Sequence, residues 1–141
     1  MANPTDLELA YFAGVIDSDG WITIITGAKQ CVLRVGVGMT NPAIPMLLHE
    51  FFGGTLFTRN NRSKNPNWKN LVSWEVSAQK ALLFLETIHQ YLIIKKPQAE
   101  IGMRFQQNRF AGKRTVEQYK VDRLLDSVEV DRITSLNHRG N

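Results

Sequence analysis

Residues 11–24, YFAGVIDSDGWITI, constrain the fold more than any other stretch of the chain. They begin as an apolar pattern at helical spacing and end in two aspartates and a glycine, after which β-branched residues take over. Asp17 and Asp19 therefore fall where a helix presents its last, unsatisfied carbonyls, at the negative end of its macrodipole. Carboxylates are disfavoured there unless something positive joins them. What that positive partner is decides how the chain works.

The 141 residues, 43% hydrophobic and 21% charged, suit one domain, 1–141, with a sizeable core rather than two independent ones. No apolar run approaches the ~18 residues of a membrane span. Residues 1–15 lack the basic and apolar regions of a secretory signal, so an intracellular protein is expected. Cys31 is the only cysteine, which excludes disulfide frameworks and multi-cysteine zinc sites. His49, His89 and His138 lack the paired spacing of zinc enzymes. The net charge of +4 favours a polyanionic partner. Four basic residues crowd into TRNNRSKNPNWKN, where Arg59, Arg62, Lys64 and Lys69 stand with Asn60 and Asn61. Such a segment is either a solvated hairpin loop or one that holds phosphates and reaches base edges.

Leu9, Phe12, Ala13 and Ile16 predict a first helix over about 6–18, capped by Thr5 or Asp6 and ended by Gly20. WITIIT and CVLRVGVGM read as strands joined by GAKQ. A second helix opens at Asn41 and ends at Gly53-Gly54, and the strands TLFTRN and LVSWEVS follow. AQKALLFLETIHQYL is a third helix, Pro97 starts a fourth, and Thr115 with Gln118 has capping-box spacing for a last one over about 115–137. The chain is thus expected to be α+β, an αββαββα core (about 5–110) plus C-terminal helices. Four antiparallel strands would carry helices on one face only. The other face would present Thr23, Arg34, Arg59, Ser73 and Glu75, a polar surface suited to a DNA major groove. Gly36 and Gly38 would leave it open to a ligand backbone.

DSDG alone reads as a helix-ending turn; it lacks the further ligands of an EF-hand loop. The nine residues FAGVIDSDG, Phe12 to Gly20, resemble the LAGLIDADG motif of the homing endonucleases, some of which act as intron maturases. Phe12, Val15 and Ser18 are the departures, all conservative. YLIIKKPQAE also looks like that family's segment with a basic residue before a late helix. The resemblance implies that two such helices pack side by side, with Phe12, Ala13, Gly14 and Ile16 at the seam of a homodimer. It assigns Asp19 as metal ligand, assisted by the Ser18 backbone carbonyl, with Asp17 and Gly20 as structural support. It makes Lys95 the catalytic basic residue near the scissile phosphate, with Lys96 as the neighbouring candidate. Without the resemblance, Lys95 reads as a solvated helix-boundary lysine. Met39 stands where the family often has a polar, water-positioning residue, and Thr40 and Asn41 follow it.

The implied function is a site-specific, metal-dependent homing endonuclease, encoded in an intron or intein-like element, that breaks both strands of a long pseudo-palindromic target. Mg²⁺ suits one or two carboxylates with waters and phosphates, and Mn²⁺ or Ca²⁺ can occupy such a site. Double-stranded DNA would meet Thr23, Arg34, Arg59, Asn60, Asn61, Arg62, Lys64, Lys69, Ser73 and Glu75. The alternatives are an RNA maturase, a non-cleaving DNA-binding protein of the same fold, or a structural domain with an acidic turn.

Overall fold

The computed structural model describes residues 3–26, 30–60, 65, 67, 69–108 and 116–138, the side chains of 116–125 excepted. Helix α1 (Asp6–Asp19) leads directly into β1 (Gly20–Thr26), then β2 (Cys31–Met39), α2 (Ala43–Phe52), β3 (Thr55–Arg59), β4 (Leu71–Ser77) and α3 (Ala78–Ile88). A 3-10 turn (His89–Tyr91), α4 (Lys96–Gln107) and α5 (Val116–His138) complete the order. The expected αββαββα core with C-terminal helices is present.

Local chemistry explains the helix starts. Thr5 and Glu8 form a full capping box on α1, each side chain bonding the other's backbone N–H at 3.2 and 3.0 Å. Asn41 Oδ1 accepts the Ala43 N–H at 3.0 Å and so satisfies one orphan donor of α2. Gly53 and Gly54, at φ 69° and 92°, supply the left-handed turn that ends α2.

The strands form one antiparallel sheet in the order β1-β2-β4-β3. Its covered face carries Ile22, Ile24, Leu33, Val35, Val37, Trp74 and Val76, all buried beneath the helices. Phe52, Trp74 and Phe84 meet near edge-to-face, with centroids 4.8–6.4 Å apart. Trp74 Nε1 donates to the Gly53 carbonyl at 2.7 Å, which ties β4 to the end of α2. Buried Ile133 anchors α5, and Asn137 accepts from Gln98 of α4 while donating to the Ile22 carbonyl of β1. Among the described residues no helix is long and apolar enough to cross a membrane.

The free face differs from expectation at its centre. A Cβ on Gly36 would stand 2.5 Å from the Trp74 carbonyl oxygen and 2.6 Å from the Trp21 ring, and one on Gly38 would stand 2.8 Å from Ser73 Oγ. These glycines make room for neighbouring strands' own residues, not for a ligand backbone. Trp74→Phe should lower unfolding stability by about 2 kcal/mol, because the Gly53 carbonyl loses its donor and the core loses volume. Urea denaturation measures it, and an unchanged midpoint would count against this packing.

Candidate nucleic-acid interface and metal site

The acids at the end of α1 have opposite environments. Asp17 is buried, and its carboxylate accepts three backbone N–H groups: Ile93 at 2.8 Å, Ile94 at 3.1 Å and Lys95 at 2.9 Å. Those donors immediately precede α4, whose N-terminal end carries the positive pole of its dipole. Lys95, only 4% exposed, turns its Nζ back onto the Asp17 carbonyl at 2.8 Å. Lys95 is therefore not a solvated boundary residue, and it, rather than Lys96, reaches the motif. Burial pushes its amine below the ordinary lysine range, and the charges of Asp17 and Asp19 partly oppose that shift.

Asp19, one residue from the strand, is exposed, and among the described residues no hydrogen bond or ion pair engages it. Gly20 lets the chain pass straight from helix to strand. Its backbone is extended (φ −87°) rather than left-handed, and a Cβ would collide with Ile16 at 2.8 Å. Asp19 and the nearby Ser18 carbonyl are hard oxygen donors, the kind Mg²⁺ accepts together with waters and phosphate oxygens. Among the described residues no cluster of three or more His, Cys, Asp or Glu could hold a metal ion. One chain thus offers a partial donor set, which fits a hydrated ion shared with a phosphate. Near the end of β2, Met39 is half-buried, while Thr40 and Asn41 are exposed and the Asn41 Oδ1 is committed to α2.

The expected seam requires correction. Phe12, Ala13 and Ile16 are buried in the chain's own core at 1%, 0% and 0% exposure, so they cannot face a second chain. At 100° per residue the opposite face of α1 presents Leu7, Ala10, Tyr11, Gly14 and Ser18. Leu7 is 84% and Tyr11 58% exposed, and a Cβ on Gly14 would meet nothing within 4 Å. Ser18 Oγ bonds back to the Gly14 carbonyl at 2.9 Å, keeping that face low and internally satisfied. Gly14 alone of the expected seam lies there. The outward apolar residues were visible in the sequence at i, i+4, but apolar residues on the core side masked them.

On the free face of the sheet, Thr23 and Arg34 are register partners, and Arg34 pairs with Glu75 at 3.8 Å. Arg59 is exposed, with its guanidinium 5.8 Å from the Phe57 ring centre. Asn60 and Lys69 are exposed at the ends of the hairpin. Ser73 is corrected: at 3% exposure beside Gly38 it is not open to a ligand. Asn61, Arg62 and Lys64 lie outside the described residues. Trp21 and Phe57, absent from the expected interface, share this face with Arg34 and Arg59; alternation from Thr23 and Arg59 could have found them.

Asp17→Ala should destabilise the chain by at least about 2 kcal/mol, since three N–H groups lose an ionised acceptor. Asp17→Asn should cost less, because it keeps Oδ1, the oxygen that Ile94 and Lys95 share. Equal midpoints for the two variants in urea would refute this ranking. Lys95 also predicts a pH effect. Between its lowered folded value and the ordinary 10.5, the unfolded chain holds the proton and the folded chain does not. Wild-type stability should therefore rise relative to Lys95→Met as pH climbs from neutrality towards 10, measured as paired urea midpoints.

No protein-family model and no curated protein matches the sequence. Solved structures do match. The homing endonuclease I-CvuI in complex with its target is similar over 92% of this chain and 82% of its own, at 20% identity and a TM-score of 0.73. The archaeal intron-encoded homing endonuclease I-Vdi141I, complexed with DNA, matches over 72% of this chain and 68% of its own, at 17% identity and a TM-score of 0.58. The meganuclease I-SmaMI, bound to uncleavable DNA, covers all of this chain with 46% of its own length, at 15% identity and a TM-score of 0.61. LAGLIDADG homing endonucleases are thus its structural neighbours, and the chain has their fold.

Proposed function

We propose that this chain is a site-specific DNA endonuclease that acts as a homodimer with Mg²⁺ on a long, pseudo-palindromic duplex target, residues 1–141 forming one endonuclease domain. The observation that carries the reading is the pairing of an exposed, unengaged Asp19 with a buried, oriented Lys95 amine at one end of α1. Neighbouring folds solved with DNA support it, as does I-SmaMI, in which this chain corresponds to less than half the length.

Asp19 and the Ser18 carbonyl would hold the metal. Bound there, Mg²⁺ supplies Lewis-acid stabilisation of phosphate charge and lowers the pKa of water. Lys95 contributes a positive charge fixed by the Asp17 carbonyl, so it needs no reorganisation as negative charge builds on the phosphate. Hydrolysis adds water across one P–O bond and yields a phosphate monoester and a hydroxyl. Cutting both strands needs two such centres related by a two-fold axis. The outward stripe Leu7, Ala10, Tyr11 and Gly14 is apolar, and its small residue Gly14, near the Asp19 end, would let the α1 helices of two copies approach there, bringing both Asp19 residues near the axis. The basic residues of the free face and hairpin would bind phosphates, so affinity should fall steeply with salt.

A second reading, a DNA-binding protein that does not cut or an RNA maturase, is favoured by Met39 at the expected water-positioning place. One experiment separates the two. Purified protein is incubated with a randomised duplex library and Mg²⁺, cleaved molecules are sequenced, and solution mass is measured by light scattering. The expected result is double-strand cleavage at one site class, lost in EDTA, by a particle of twice 16.0 kDa. Asp19→Asn should abolish cleavage while leaving binding and stability intact. DNA bound but uncut by the wild type would favour the second reading.

A further inference from the structure

The free face of the sheet keeps Thr23, Thr55 and Ser77 at least partly open, but apolar residues interrupt its polar groups. Ser73 is buried, the Arg34 guanidinium is partnered by Glu75, and the Arg59 guanidinium sits over Phe57. Strand alternation and register put apolar side chains between these cations. Ile25 and Val32 are direct cross-strand partners at one end of the face. Phe57, opposite Ser73, and Leu71, opposite Arg59, are diagonal neighbours at the other. Ile25 is 37% exposed, and the other three are partly exposed.

In a major groove, the one apolar group on a base edge is the thymine 5-methyl. An apolar side chain against a cytosine amine or a guanine carbonyl removes water and returns no hydrogen bond, so it also selects against those bases. Resting on the DNA-binding reading above, we propose that the Ile25–Val32 pair and the Phe57–Leu71 pair recognise thymine methyls. The sheet then selects half-sites with thymine at the positions under its two ends. Arg59, beside the Phe57–Leu71 pair, supplies charge to the flanking phosphates.

The first arm of the test needs no change to the protein. The intact chain selects its half-site from a random duplex library, and affinity is then measured on duplexes in which deoxyuridine, which lacks only the 5-methyl, replaces thymidine. Weakening of about three- to fourfold is expected for each contacted methyl, with an unaltered salt slope because no phosphate contact is lost. Phe57→Ser, on the open face, should remove the uridine effect at its own position and leave the others. A deoxyuridine duplex bound as tightly as the thymidine one, or a selected half-site without thymines, overturns the inference and leaves DNA binding standing. Selection of no DNA at all overturns the functional reading, and this inference with it.

Discussion

The Asp17 carboxylate joins two ends of the fold that lie 76–78 residues apart in sequence. It sits at the negative end of α1, where a charge of that sign is unfavourable, yet it meets three N–H donors at the positive end of α4. Opposite helix poles are thus brought together through one ionised side chain. The Lys95 Nζ closes the arrangement from the other side, onto the Asp17 carbonyl. The orientation of α4, the burial of Lys95 and the nearness of Lys95 to Asp19 all depend on this clasp. It also answers the electrostatic conflict in the sequence: Asp17 finds its positive partner inside the protein, and Asp19 is the acid left to look outward.

That division follows from helix geometry. With the core on one side of α1, position 17 turns inward and position 19 passes into the strand. The same rotation sends Phe12, Ala13 and Ile16 to the core and Leu7, Ala10, Tyr11 and Gly14 outward. A helix apolar on both faces has no water-facing side of its own. The outer face is an exposed, largely apolar stripe, with Gly14 and the folded-back Ser18 hydroxyl low between its larger side chains.

The order of elements and the motif at the end of α1 were legible because both rest on local signals: the 3.6 period, β-branched runs, and Gly, Pro and Asn at boundaries. The direction in which α1 faces was not, since apolar residues on both sides erase the asymmetry that a helical pattern reveals. Gly36 illustrates the same limit in the sheet. Read along β2 it is a bare, open position; only the pairing of Trp21 with Gly36 shows that an indole from the next strand fills it. Ser73 reads as an outward polar residue by alternation, and it does point that way, but its neighbours bury it. Asp17's partners lie beyond any local window. Lys95 was legible as a candidate residue, and its burial only in three dimensions.

The distribution of charge on the free face sets a last constraint. The chain's net +4 is not spread over the strands, because Arg34 is offset by Glu75 at the centre of the sheet. Arg59 and Lys69 instead flank the hairpin at the β3–β4 end. A duplex lying on this face would meet its strongest attraction at that margin and a surface without net charge nearer the middle. Attraction at the margin acts on any sequence, since phosphates are the same everywhere. Discrimination has to come from the weaker, shape-dependent contacts to the bases. Under the proposed function such a surface would separate holding DNA from choosing it.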